Sequence, residues 1–201
     1  MKLKIFPFPI LLFLMFSCVN QKSEDLLYSN TFSLKDVVLL EGPFKHARDL
    51  NIQTLLKYDT DRLLATYLKE AGLPEKASLY PNWKGLDGHV TGHYLSALAM
   101  NYASTDNQEC KERMEYMISE LKACQDANGI NHPEWGKGYA GGVPDSETIW
   151  SNLRKGNFDA YRSAWVPWYN VHKMYAGLRD AWYYAGNEDA KDIFLKFCDW
   201  G

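Results

Sequence analysis

Apolar residues recurring at three- and four-residue steps dominate this chain. The clearest run follows the glycines Gly85 and Gly88: Val90, Tyr94, Leu95, Leu98, Ala99 and Tyr102. That spacing collects the stripe on one face, which predicts a helix of about four turns over His89 to Ala103. Asp87 stands just outside it in a capping position, and Gly92, Ser96 and Ala97 form a flank small enough for a neighbouring helix to approach closely. His89 and His93 are four apart, hence one above the other on a single face.

The same period predicts further helices. Gly42 and Pro43 open one that carries Phe44, Ala47, Leu50, Leu55 and Tyr58, and a short one from Arg62 to Glu70 is stopped by Gly72 and Pro74. A long one from Glu109 to Ala127 gathers Met114, Met117, Ile118, Leu121 and Cys124 on one face, and another spans Asp145 to Lys155. Pro167 to Ala185 begins with proline in its first turn and carries Val171, Met174, Tyr175, Leu178 and Trp182, and Ala190 to Trp200 follows. Two-residue alternation of branched residues is not sustained anywhere, so the fold class is all-α. Residues 71–87 form a loop whose Tyr80, Pro81 and Trp83 are apolar enough to lie across the domain, and the long glycine-rich stretch 128–167 is of a kind that usually carries function.

A weak repeat underlies this order, with an offset of about 81 residues counted from turn to turn. In each copy a helix begins near histidine and ends in Tyr-Ala, a turn of STDN or GNED type follows, and a second helix returns. Hairpins that alternate a short return with a long crossing predict a toroid of inner and outer helices whose long loops gather at one rim. His89, His93 and His172 all begin inner helices on that reading, so they converge on the same rim. Taken singly, each histidine has a plainer alternative as a core or solvated residue.

Composition narrows the partners. The 201 residues carry a formal net charge of −3 and no run of basic residues, which excludes an electrostatic footprint for nucleic acid. Aromatic content is 14%, with seven tryptophans and thirteen tyrosines, rings suited to stacking on sugars or to filling a helical core. The opening MKLKIFPFPILLFLMFSC pairs two lysines with an apolar run and a small residue before Cys18, which reads as a signal peptide over residues 1–18. Cys18 is the expected lipidation site of a lipoprotein-type leader, although Met15 and Phe16 depart from the usual small and branched residues. The alternative is a thiol in an ordinary leader. Residues 19–33 are a polar tether, and the chain is expected to be exported as a periplasmic or cell-surface lipoprotein. Cys110, Cys124 and Cys198 lack metal-binding spacing and are expected to be buried free thiols. Cys110 and Cys124 sit fourteen residues apart on one helix, ~20 Å, too far to pair.

Three stretches carry a family resemblance: EGPFKHARDLNIQTLLKYDTDRLLATYLKEAGLP, GLDGHVTGHYLSALA and WVPWYNVHKMYAGLRDAW. They resemble the bacterial non-reducing-end β-L-arabinofuranosidase family of glycoside hydrolases, from about Leu34 to the last residue. The resemblance implies an (α/α)6 toroid, here an incomplete one, acting on terminal L-arabinofuranose of plant cell-wall oligosaccharides or glycans. It also implies zinc in the full-length protein, held by cysteine and glutamate, with a zinc-bound cysteine as nucleophile and a glutamic acid as proton donor. These are expected downstream of Gly201, so no catalytic residue and no metal ligand is assigned in this chain. What carries over is sugar binding: His93 and His172 on the furanose hydroxyls, supported by His89 and Asp87. Neutral imidazole suits that role, donating from one nitrogen and accepting at the other. For His172 the alternative is orienting Tyr169 or a backbone group.

Trp168, Trp165 and Tyr139 are candidates for a stacking wall, with core packing as the alternative for each. Glu134 and Glu147 read as surface carboxylates, and His46 and His132 as structural or solvated residues. Two other functions compete with a glycosidase: a non-catalytic glycan-binding lipoprotein on the same rim, and a helical-repeat scaffold, which two uneven hairpins favour least.

Overall fold

A computed structural model of the chain describes residues 32–81 and 86–201. The leader, Cys18, most of the tether and Trp83 lie outside the described residues. Among those described the structure is helical with no strand, and it follows the predicted order. A one-turn 3₁₀ segment at Leu34–Asp36 precedes α1 (Pro43–Leu55), α2 (Thr60–Glu70), α3 (His89–Thr105), α4 (Gln108–Asn131), α5 (Ser146–Arg154), α6 (Asp159–Ser163), α7 (Pro167–Ala185) and α8 (Glu188–Trp200). None of these helices is long and apolar enough to cross a membrane.

Local chemistry accounts for the element ends. The Asp59 carboxylate caps α2 by accepting from the amides of Asp61 and Arg62. Asn107 caps α4 by accepting from the Cys110 amide, and Asn187 caps α8 in the same way from Ala190. Immediately before them Asp106 and Gly186 end α3 and α7 in the left-handed conformation. The two returns are therefore the same device, about 80 residues apart, and the sequence repeat is a structural repeat of hairpins α3–α4 and α7–α8. This is the helical-hairpin construction of an α/α toroid.

Helices α3 and α7 pack closely on each other, with α4 and α8 behind them and α2 against α4. Leu64, Tyr67, Leu95, Leu98, Met114, Met117, Ile118, Leu121, Met174, Leu178 and Phe197 fill the space between, all but sealed from solvent. Each such side chain contributes about 1.5–3 kcal/mol relative to exposure.

Several expectations are corrected. The apolar stripe that α1 opens is buried only towards its end: Ile52 is buried and Leu55 half-buried, while Phe44, Leu50 and, just past the helix, Tyr58 are exposed, because among the described residues little packs over its first turns. Cys110 and Cys124 are buried free thiols, but Cys198 points outward from α8. Asp87 does not cap α3, since the capping residue is Gly88, whose φ of +95° turns the chain in without any side-chain cap. The glycine-rich crossing is shorter than read, for α4 runs on to Asn131 and α6 interrupts the rest. Tyr80 does lie across the domain, its hydroxyl accepting from the Asp59 amide at 2.8 Å beneath the Arg62 guanidinium.

Candidate functional site

The rim is built by a crossing that only glycine permits. A Cβ placed on Gly92 would stand 2.0 Å from the Lys173 carbonyl oxygen, and one on Gly177 would stand 2.5 Å from the Gly92 oxygen. With neither present, α3 and α7 run side by side in the same direction, backbone nearly on backbone. That puts the first turns of both helices, and so His89, His93 and His172, at one end.

The loop entering α3 is held from three sides. Tyr67 of α2 donates its hydroxyl to the Gly88 carbonyl at 2.6 Å, and Asn170 of α7 donates its side-chain amide to the Asp87 carbonyl. Gly142, from the glycine-rich crossing, brings its carbonyl within 2.9 Å of where a Gly88 Cβ would sit, while Thr66 donates to that carbonyl at 3.0 Å. Asp87 is buried at this junction, its backbone carbonyl accepting from Asn170 at the start of α7.

His89 donates from Nδ1 to the Leu86 carbonyl, which fixes the proton on that nitrogen and leaves Nε2 as the acceptor of the neutral ring. Its ring stands edge-on to His93, with centroids 6.2 Å apart, and 6.0 Å from the Tyr169 ring. Burial holds His93 below the ordinary histidine value, helped next by the Lys173 ammonium and then by His89 and His172. Lys173 lies over the Tyr169 ring at 4.7 Å. His93 and His172 remain exposed, so a ligand can reach both. The structure thus brings His89, His93, His172, Tyr169 and Lys173 into one cluster. Reading the sequence for imidazoles missed the last two as site residues, although both belong to the quoted VPWYNVHK stretch at the four-residue spacing that stacks side chains on a helix.

Trp168 is placed differently. Its ring meets Trp150 at 5.3 Å and Trp200 at 6.0 Å, an aromatic cluster beside the rim residues of α7. Tyr139 is wholly buried, its hydroxyl paired with Ser146 at 2.8 Å, so it is core and not wall. Trp165 is 59% exposed and precedes Val166, a branched residue held at φ +42°, a strained conformation for its type. Glu134 and Glu147 are exposed, His46 is exposed on α1, and His132 stacks on Trp135 at 4.7 Å.

The described cysteines are poor nucleophiles. Burial pushes the Cys124 thiol up to about 12 and raises Cys110 and Cys198 as well, so none is held as a thiolate at neutral pH. Among the described residues no three His, Cys, Asp or Glu side chains come together as metal ligands, so the zinc that the resemblance implies does not fit them. The chemistry this cluster offers is recognition of hydroxyl groups through imidazoles beside an ammonium.

Compared with known families, residues 36–201 match the β-L-arabinofuranosidase GH127 catalytic domain. No curated protein matches the chain.

Proposed function

Because the chain belongs to the β-L-arabinofuranosidase GH127 catalytic-domain family, we propose that it serves to release terminal β-L-arabinofuranose from plant-derived glycans, with His93 and His172 gripping the furanose hydroxyls. The observation that carries this is the convergence of three imidazoles on one open face by the α3–α7 crossing. The reading includes retention of configuration through a cysteine nucleophile, with a glutamic acid as proton donor and zinc on the thiolate, all supplied from outside the residues described. What these residues contribute is binding and orientation. His89, locked by Leu86, sets the ring against which His93 is placed, and the exposed faces of His93 and His172 meet the sugar.

Kinetics of the full-length protein on an aryl β-L-arabinofuranoside test it. His93→Ala and His172→Ala each leave sugar hydroxyls without partners, at about 1–3 kcal/mol, which is about ten- to a hundredfold in kcat/KM. Wild-type rates in both folded variants would make these histidines structural. Sugar binding by the wild type with no hydrolysis would favour the glycan-binding alternative. The same reading places the protein on a membrane through Cys18, and fatty-acid labelling lost in Cys18→Ala is the expected result; an unlabelled, secreted product would mean an ordinary leader.

A further inference from the structure

We infer that Asn170 is a positioning residue for this rim: its side-chain amide, bonded to the Asp87 carbonyl across the starts of α3 and α7, sets the axial register in which His89 and His93 stand beside Tyr169 and His172. This rests on the reading of the rim as the sugar site. Asn170 lies in the first turn of α7, two residues before His172, and Asp87 lies two residues before His89. The Asn170 side chain is 2% exposed. Its Nδ2 donates to the Asp87 carbonyl, and its Oδ1 lies 3.1 Å from where a Gly88 Cβ would stand, so the amide rests against the main chain of the loop that enters α3.

The glycine crossing farther along the helices does a different job. Where Gly92 and Gly177 meet main chain, the contact sets how closely α3 and α7 approach, and packing of that kind resists sliding only weakly. A hydrogen bond is directional and short in range, so it holds one helix start against the other. A slip of one residue would carry His172 about 1.5 Å along the helix axis relative to α3. A binding constellation has to be held within about 0.5 Å. The Tyr169 ring, on the residue before Asn170, stands 6.0 Å from that of His89, a contact the same slip would displace. Stability alone is a weak reason for this side chain. Among the described residues Oδ1 has no hydrogen-bond partner, so the bond made by Nδ2 is offset by a desolvated oxygen on the same amide. The position also demands a donor of this length, since aspartate at neutral pH has no proton to offer a carbonyl and glutamine is one methylene longer.

Kinetics of the full-length protein on an aryl β-L-arabinofuranoside test the inference through coupling. Asn170→Ala should lower kcat/KM about tenfold, part of the roughly hundredfold that a misplacement of about 1 Å can cost. In a His172→Ala background, with no imidazole left there to place, the same change should cost about twofold or less, the usual scatter between independent sites. Asn170→Asp adds a pH readout that a space-filling role would not move. Its carboxylate is repelled by the Asp87 carbonyl, whereas the protonated acid can donate to it, and burial raises the pKa of such a group. Its kcat/KM relative to wild type should therefore recover as pH falls from about 8 to about 5. A full tenfold loss in the His172→Ala background overturns the inference, as does an Asn170→Asp to wild-type ratio that stays flat with pH. Failure of both Asn170 variants to fold would make the residue structural and overturn it equally. Wild-type rates in His172→Ala would remove the sugar-site reading and this inference with it, while full additivity on top of a costly His172→Ala removes this inference alone.

Discussion

Gly92 has a backbone carbonyl where any other residue would have its first side-chain carbon. Overpacking in a core costs about 1–3 kcal/mol when flexible side chains can yield, and here the obstacle is the main chain of Lys173, so Gly92→Ala belongs at the upper end or beyond. The loss should appear as a lower urea midpoint together with weaker sugar binding, because the crossing that buries Met174 and Leu178 also sets the rim. A Gly92→Ala protein that melts like wild type would mean that the helices part easily and the crossing is not a constraint. His93 adds a pH dependence of known sign. Its folded value lies below the ordinary one, so between the two the unfolded chain binds the extra proton, and stability declines as pH falls from about 6.5 through the folded value. His93→Gln should flatten that acid-side slope in thermal melts; an unchanged slope would assign it to other groups.

Between elements, the informative contact is Glu70. Its carboxylate, at the end of α2, accepts from the amides of Asp145 at 3.3 Å and Ser146 at 2.8 Å, supplying from a distance the cap that α5 lacks in its own sequence. Glu70→Ala should cost about 0.5–2 kcal/mol and loosen the glycine-rich crossing that supports Gly88. Burial raises the Glu70 value, so the folded state binds the extra proton just above the ordinary glutamate range, and its contribution shrinks as pH rises through that window. Thermal melts at pH 4 to 7 should show Glu70→Gln without that decline, and a parallel decline in both proteins would put its origin elsewhere. Such a contact was not legible in the sequence, since Glu70 and Ser146 are separated by 76 positions and neither carries a local mark. Where the cues were local they sufficed: Pro167 and Gly186 bound α7 as read, and Asn107 and Asn187 made the repeat visible before any coordinates. Periodicity located the helices but could not tell which stripes would find a partner, which is why the run of Phe44 and Leu50 says nothing of their exposure and Tyr139 stood among the wall candidates. At the rim the histidines were found by their chemistry, while Tyr169 and Lys173 joined them only once the crossing had set the starts of α3 and α7 side by side.

For the whole molecule, the unsatisfied surface lies along residues 32–50. Phe32, Val38, Leu40 and Phe44 are between 77% and 84% exposed, and Val37 and Leu50 about half so. Scattered apolar residues on a surface need no explanation, but six exposed ones within nineteen positions leading into one helix concentrate apolar surface of the kind that promotes association. The opposing force is small, since a net charge of −3 spread over 201 residues gives little long-range repulsion between copies. The 201-residue product purified by itself should therefore sediment as a concentration-dependent mixture and bind a hydrophobic dye. Replacing Val38 and Phe44 together by serine should shift it toward monomer and reduce dye binding without lowering the melting temperature, because neither side chain contributes to the core in this structure. Wild-type protein that stays monomeric across a hundredfold range of concentration, with no dye signal, would mean that this face is covered by residues outside those described; a double variant that melts early would mean that the face packs within the chain after all.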